Sequence, residues 1–189
     1  MLDRLTERAQ RMMGFGKQES QRLKHDHLGT EHVLLGMVKE GTGVGAGVLL
    51  ELGINLDDLR EEIERRSHGP NTANPPEDPR YTARLLRTFE YAEEEAASTG
   101  HSLIDTEHVL LGILREPDGT AARALIKLGA SAEAIRSSIR GKVSESPIAE
   151  NDLRARALAD LQANGVSLAE HSLRQVAAAI VKAGWRPRP

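Results

Sequence analysis

The 189-residue sequence contains no cysteine, and only 3% of its residues are aromatic. The first absence excludes disulfides, thiolate nucleophiles and cysteine-ligated zinc, and it suits a reducing compartment. The second leaves little material for a surface on which nucleic acid bases stack. Apolar runs are too short to span a bilayer, and the N-terminal MLDRLTERAQ is charged where a signal peptide would be apolar. We therefore expect a cytoplasmic protein.

Strand signals are also nearly absent, because few segments alternate apolar and β-branched residues with polar ones. Apolar residues at helical spacing run through the whole chain instead, which predicts an all-α fold. The predicted helices are 5–23, 30–39, 43–52, 56–66, 82–98, 106–115, 118–128, 132–140, 151–163 and 168–183.

One heptapeptide, TEHVLLG, occurs twice, at Thr30–Gly36 and at Thr106–Gly112, 76 residues further along the chain. The same offset aligns 25–53 with 101–129, where 14 of 29 positions are identical. Most of the identities are apolar or turn residues, which specify packing and helix ends. The pattern therefore predicts a duplicated unit of four helices.

Two breaks divide the chain. SHGPNTANPPEDPR at 67–80 has four prolines among polar residues and is typical of a linker, and VSESPIAEN at 143–151 is the second break. We predict one domain, followed by a C-terminal helical hairpin that either packs on it or docks a partner. The predicted bounds are 1–142 for the domain, with repeat one at 2–66, the linker at 67–80 and repeat two at 81–141, and 143–189 for the C-terminal extension.

The net charge of −3 argues against bulk affinity for nucleic acid, but the charge is uneven. Residues 151–189 hold six Lys/Arg against three Asp/Glu. Within them, LQANGVSLAEHSLRQVAAAIV has loose helix-turn-helix spacing. An alternative hypothesis is therefore a transcriptional regulator that contacts DNA through the basic C-terminal helices.

Each heptapeptide places a glutamate beside a histidine, Glu31-His32 and Glu107-His108. A zinc peptidase helix needs two histidines four residues apart with a glutamate between them, and that spacing is absent. We expect these histidines to pack on the core at helix starts, and we predict no metal ligands and no cofactor.

The sequence also lacks the motifs of two large enzyme classes. GFGKQES at 14–20 is not a Walker A loop, because Arg11 stands where the first glycine is needed and Gln18 where Ser or Thr is needed. No G-x-S-x-G nucleophile elbow occurs. We therefore predict that the chain is not an enzyme and does not hydrolyse ATP.

Threonines mark the expected helix starts. Thr30 and Thr106 are predicted to be N-cap residues, and Thr6 and Thr82 open the first helix of each unit. A helix start has unpaired N–H groups that can bind an anion.

If such an anion-binding helix start faced Glu31 or Glu107, the site would offer hydrogen-bond donors for an anion and a carboxylate for a cation. A phosphorylated guanidinium group has both properties.

The two segments LGTEHVLLGMVKEGTGVGAGVLLELGI and IDTEHVLLGILREPDGTAARALIKLGA resemble the two Clp repeats in the N-terminal domain of ClpC-type AAA+ unfoldases. RLTERAQ and RYTARLL resemble the starts of those repeats, and the resemblance covers about residues 2–141. Because the AAA+ modules are missing, the sequence is similar to a free-standing Clp N-domain protein. The resemblance implies two four-helix repeats related by a pseudo-two-fold axis.

In that family the domain receives adaptors and substrates, and in some members it binds phosphoarginine. Carried over, the resemblance implies one pocket with Glu31 and Thr6, and another with Glu107 and Thr82. The second copy departs from the family by having Asp105 in place of glycine, and the added negative charge is expected to weaken phosphate binding there.

Cyclic-peptide antibiotics bind the same family domain between the repeats, and the corresponding positions here are Leu2, Tyr81 and Leu86. The resemblance therefore implies a non-enzymatic, chaperone-related binding module of the Clp proteolysis system. Its expected partners are phosphoarginine-bearing or unfolded proteins, a ClpC-type unfoldase or its adaptors, and such antibiotics. Two roles are open: an adaptor that delivers marked proteins, or a decoy that competes with the unfoldase's own N-domain.

Overall fold

The computed structural model describes residues 4–66 and 72–143, and this part of the chain is all-α apart from two very short strands. The elements in chain order are α1 (Glu7–Arg22), β1 (His27–Leu28), α2 (Thr30–Glu40), α3 (Val44–Glu51), α4 (Leu56–Arg66), β2 (Arg80–Tyr81), α5 (Ala83–Thr99), α6 (Thr106–Leu114), α7 (Thr120–Lys127) and α8 (Ala132–Val143).

The all-α prediction is confirmed, and eight of the ten predicted helices are present, with bounds that differ by a few residues. The two predicted helices at 151–163 and 168–183 lie outside the described residues. The chain divides into two units, Met1–Gly141 and Lys142–Pro189. The finer division of the first unit into two repeats and a linker stays a prediction.

The first helix of each repeat starts at the expected threonine. Thr6 caps α1 by accepting a hydrogen bond from the backbone N–H of Ala9 (3.2 Å), and Thr82 caps α5 by accepting one from Leu85 (3.1 Å). Each cap satisfies one of the N–H groups that a helix start leaves without a partner.

The predicted caps at Thr30 and Thr106 are wrong by one residue. The N-cap positions are Gly29 for α2 and Asp105 for α6, and each threonine is the first helical residue. The physical reason is that a histidine completes each cap from within the helix, since Nδ1 of His32 accepts the N–H of Gly29 at 2.8 Å.

The glycine at the end of each TEHVLLG copy allows two helices of the same repeat to cross closely. A Cβ atom on Gly36 would lie 2.3 Å from the carbonyl oxygen of Met12, and one on Gly112 would lie 2.3 Å from that of Thr88. No side chain fits at such distances, so α1 packs on α2 and α5 packs on α6 through backbone contact. The repeated glycine is therefore a packing residue.

The two repeats interlock through short parallel strand pairs. β1 pairs with β2, with His27 opposite Arg80 and Leu28 opposite Tyr81, and the N–H of Thr82 donates to the carbonyl of Leu28 at 3.0 Å.

The equivalent contact on the other side of the domain is a bridge between Leu5 and Ile104. There the N–H of Thr6 donates to the carbonyl of Ile104, also at 3.0 Å. The first helix of each repeat therefore starts beside the TEHVLLG helix of the other repeat.

A buried carboxylate joins helices that are distant in sequence. Glu19 on α1 is 1% exposed and binds Arg60 of α4 at 2.5 Å and Arg22 at 2.8 Å. Burial alone would raise the pKa of Glu19, but the hydrogen bonds from Arg60 and Arg22 lower it to about 2. Glu19 therefore stays charged and ties α4 to α1.

Among residues 4–66 and 72–143, no single helix is long and apolar enough to cross a membrane. The bent pair α2 and α3, which meet at 87°, passes that test together by length and composition only.

Candidate functional site

The glutamate of the first heptapeptide lies at the junction of the repeats, in what we call the first pocket: Glu31, Thr30, Gly29, His27 and Thr82. The side chain of Glu31 is 13% exposed. Its Oε2 accepts a hydrogen bond from the hydroxyl of Thr30 at 3.3 Å, and its Oε1 lies 3.7 Å from Nε2 of His27. Because Thr82 N–H donates to Leu28, next to Gly29 in the chain, the start of α5 adjoins this carboxylate.

His27 and Glu31 form an ion pair. Although burial raises the pKa of Glu31, the neighbouring His27 and His32 lower it to about 2. The interaction with Glu31, opposed by burial and assisted by Asp26, raises the pKa of His27 to about 9. At neutral pH the first pocket therefore holds a carboxylate whose charge is balanced by an imidazolium at its edge.

The first pocket also has features that suit an anion. The N–H groups in the first turn of α5 have no acceptor within their helix, and the partial positive charge of a helix N-terminus attracts anions. Arg84 lies in that turn, and its Nε is 3.3 Å from Glu116 Oε2. The start of α7 is close as well, since a Cβ on Gly119 would lie 3.1 Å from Cδ of Arg84 and 3.6 Å from the hydroxyl of Thr30.

The second pocket is the pseudo-equivalent site formed by Glu107, Thr106, Asp105, Arg8 and Thr6. Glu107 is 1% exposed, and its Oε2 accepts a hydrogen bond from the Thr106 hydroxyl at 3.4 Å. Burial and the nearby Asp105 raise the pKa of Glu107 to about 7. The carboxyl of Glu107 is therefore a much weaker cation acceptor at neutral pH than that of Glu31.

The structure corrects the expected pairing of threonines and glutamates. Thr6 is hydrogen-bonded to Ile104, which directly precedes Asp105, so it belongs with Glu107; Thr82 is hydrogen-bonded to Leu28 and belongs with Glu31. The expectation of Thr6 with Glu31 and Thr82 with Glu107 assumed that each pocket lies within one repeat. The parallel strand pairs place each first helix against the other repeat instead.

The histidines converge in a way that sequence spacing did not predict. Potential ligand atoms of His25, His27, Glu31 and His32 all lie within 4.8 Å of one another, and so do those of His101, Glu107 and His108 in the second repeat. By distance alone, either group could hold a metal ion.

Hydrogen bonds give the buried histidines a different function. Nδ1 of His32 accepts the Gly29 N–H, so the ring proton is on Nε2, which donates to Nδ1 of His25 at 2.8 Å. His108 repeats both contacts, at 2.9 Å to the Asp105 N–H and 2.7 Å to His101. In each inner ring Nδ1 therefore caps the helix and Nε2 contacts a second histidine. Both inner rings are buried, which confirms that these histidines pack on the core at helix starts.

A groove of about 280 Å³ lies at the inter-repeat contact near the start of α1. It is lined by Leu5, Gln10, Met13, Gly14, Lys17 and Tyr81. Of the three residues expected in such a groove, Tyr81 is present, whereas Leu86 is 40% exposed on α5 and does not line it. Leu2 lies outside the described residues.

Two site residues were missed by sequence reasoning. Arg8 binds Asp105 across the repeat boundary at 2.8 Å, and His27 binds Glu31. For His27 the available signal was its lack of a counterpart, because Leu103 occupies the equivalent position. Arg8 offered no such difference between the repeats, because the equivalent position in the other repeat is also an arginine, Arg84.

Comparisons with known proteins agree with this architecture. The chain is 43% identical over 149 residues to the chloroplastic chaperone protein ClpC of Pisum sativum. The aligned region covers 77% of this chain and 16% of that protein. The chain thus spans about a sixth of the length of that relative.

Solved structures give the same result for the fold. The N-terminal domain of ClpD from Arabidopsis thaliana matches with a TM-score of 0.64 and 28% identity, over 75% of this chain and 96% of that one. A complex of the ClpV N-domain with a VipB peptide matches with a TM-score of 0.60 and 15% identity, over 77% and 91% of the two chains.

The family model for the Clp repeat (R) N-terminal domain matches residues 4–128 and 80–162. Domains of this family are non-catalytic binding modules related to the substrate- and adaptor-binding domains of Clp unfoldases. The duplicated four-helix architecture, the interlocked helix starts and the sequence match agree, and the chain belongs to the Clp repeat N-terminal domain family.

Proposed function

We propose that this chain binds proteins that carry phosphorylated arginine, and that the first pocket is the binding site. The observation that carries the proposal is the position of the partly buried Glu31 carboxylate beside the start of α5, which comes from the other repeat. A carboxylate and a helix N-terminus side by side match the two ends of a phosphorylated guanidinium group.

Each half of such a ligand has a physical reason to bind. A guanidinium group pairs with a carboxylate through charge-assisted hydrogen bonds, and Glu31, whose pKa is lowered to about 2, is charged at neutral pH. The phosphoryl group would accept hydrogen bonds from the first-turn N–H groups of α5, with Thr82 as the capping residue. Arg84 adds a positive charge to the same turn.

We further propose that the chain acts in the Clp proteolysis system as an adaptor or a decoy for a ClpC-type unfoldase. Its similarity to the N-terminal region of ClpC supports this role, and the related ClpV N-domain forms a complex with a peptide. The two roles predict opposite results when the full chain is added to an unfoldase–protease reaction with an arginine-phosphorylated substrate. An adaptor accelerates degradation at low concentration, whereas a decoy slows it at every concentration.

Calorimetric titration with free phosphoarginine tests the pocket. We expect saturable binding that falls at least tenfold in Glu31→Gln and in Thr82→Val. Glu133→Gln, a substitution in the first turn of α8, is the matched control and should bind as the wild type does. Arginine and inorganic phosphate should each bind far more weakly, since each fills half of the site. Absence of binding, or equal affinity in wild type and Glu31→Gln, would reject the proposal.

The alternative of DNA binding depends on residues 151–189, which lie outside the described residues, and it stays a prediction. A gel shift with the full chain tests it. No geometric feature of residues 4–66 and 72–143 favours it.

A further inference from the structure

The two pockets differ at the residue that precedes the repeated threonine. Gly29 occupies this position in the first pocket, and Asp105 occupies it in the second. We propose that Asp105 closes the second pocket by holding the guanidinium group of Arg8, so that the chain binds a single phosphorylated arginine, at Glu31. The inference rests on the proposed function for its ligand, but the closure of the second pocket is a property of the protein alone.

The carboxylate of Asp105 is fully buried, and both of its oxygens have partners. Oδ1 accepts the backbone N–H of Thr106 at 2.7 Å, and Oδ2 binds Arg8 through its terminal nitrogen at 2.8 Å and its Nε at 3.3 Å. The second pocket therefore already contains a carboxylate–guanidinium pair. A ligand's guanidinium would have to compete with Arg8, and its phosphoryl group would face the negative charge of Asp105.

The first pocket lacks this carboxylate–guanidinium pair. Gly29 has no side chain, and Arg84, the pseudo-equivalent of Arg8, contacts Glu116 through its Nε at 3.3 Å. The space beside Gly29 is taken by the acceptor carboxylate itself, because a Cβ there would lie 2.4 Å from Oε1 of Glu31.

In the second pocket the side chain of Asp105 occupies the corresponding space, so Glu107 cannot take the position that Glu31 takes. Glu107 is buried deeper, at 1% exposure. Its raised pKa, caused by burial and by Asp105, agrees with a carboxyl group that has lost its access to a cation. A single substitution, Gly to Asp, thus changes both the charge and the shape of the pocket.

Stoichiometry and site-resolved binding test the inference together. Calorimetry with phosphoarginine should give one site for the wild type, no change in Glu107→Gln and loss of binding in Glu31→Gln. Asp105→Gly should add a second site, and Glu107→Gln in that background should remove it. Two sites in the wild type, or weaker binding in Glu107→Gln, would overturn the inference.

A ligand-free measurement separates failure of this inference from failure of the proposed function. The Nε–H of Arg8 should give a resolved, slowly exchanging NMR signal in the wild type and should exchange at least tenfold faster in Asp105→Asn. That variant keeps an oxygen for the Thr106 N–H, so α6 retains its cap. If the wild type binds no phosphoarginine but Arg8 is protected, only the ligand assignment fails. If Arg8 exchanges equally fast in both proteins, the closure is wrong.

Discussion

The ion pair between His27 and Glu31 makes a sharp prediction about pH. Replacing His27 by asparagine should destabilise the domain at pH 6 and leave its stability unchanged at pH 10. The side chain is 30% exposed, so the substitution creates no cavity in the core, and its main effect is to remove the imidazolium charge that faces Glu31.

The size of the effect follows from the change in pKa. A histidine pKa raised from 6.5 to about 9 corresponds to about 3 kcal/mol, at roughly 1.4 kcal/mol per unit. Solvent screening at a partly exposed ring, together with a gap of 3.7 Å between the charged atoms, reduces this to about 1–2 kcal/mol. The lowered pKa of Glu31 describes the same interaction seen from its partner, so it adds nothing to the total.

The sign follows from linkage. Because the pKa of His27 is higher in the folded protein, the stabilisation is complete below pH 6.5 and is lost as the pH rises through about 9. On the acid side the lowered pKa of Glu31 makes the stabilisation disappear as the pH falls from 4.5 towards about 2.

The pH profile also reflects the other groups that face the ring, which are Asp26, the stacked His25, His32, and Arg80 on the neighbouring strand. Subtracting one stability curve from the other gives the effect of His27 together with its coupling to these groups, since its hydrogen bond lowers the pKa of Asp26.

Urea unfolding of wild type and His27→Asn at pH 6, 8 and 10 provides the measurement. The difference in unfolding free energy should fall from about 1–2 kcal/mol at pH 6 to near zero at pH 10. An equal loss at all three values would show that His27 stabilises the domain by packing and not by charge. Since His27 also competes with a ligand's guanidinium for Glu31, the variant should bind phosphoarginine more tightly than the wild type at pH 7.

Three further substitutions test the fold and the groove. Glu19→Gln should lower the free energy of unfolding, measured with urea, by about 2–3 kcal/mol at pH 7. The difference from the wild type should shrink below pH 4.5, because the wild-type carboxylate then becomes protonated and its ion pair with Arg60 is lost. Gly36→Ala should lower the unfolding free energy by about 2–3 kcal/mol, because the added Cβ clashes with the backbone of α1. Gly47→Ala is the control and should be neutral or slightly stabilising, since nothing lies within 4 Å of its added Cβ. Similar losses in both variants would contradict the packing argument. Tyr81→Ala should weaken binding of an apolar cyclic peptide at least tenfold in a fluorescence titration if the groove is its site, and unchanged affinity would exclude that site.

Local patterns were enough to predict the helices but not the way the pockets are assembled. Helical periodicity gave eight helices to within a few residues, and the helix starts at Thr6 and Thr82 followed from capping chemistry. The caps at Thr30 and Thr106 were misplaced, because the histidine side chain that completes each cap comes from the following turn. The contact spans only three residues, but it uses histidine where the usual capping box has Glu or Gln.

The pairing of Thr6 with Glu107 was unpredictable for a different reason. It depends on a parallel contact in which single residues, Leu5 and Ile104, meet across about 100 residues of chain. A bridge of that length has no alternating pattern, and its energy comes from the packing of helices on either side. Sequence could name the candidate threonines and glutamates, but only the contacts between the repeats show which threonine lies near which glutamate.

Packing within each repeat accounts for several of the residues that the two copies share. The histidine of each copy completes a cap, and Gly36 and Gly112 permit helix crossings, so a change at any of these positions disturbs the packing of a whole repeat. The residue before the threonine contacts mainly its own pocket, so Gly29 and Asp105 could diverge without loss of the fold. The two copies therefore share one packing design, and the residue before the threonine distinguishes them: glycine at 29, and at 105 an aspartate that binds Arg8.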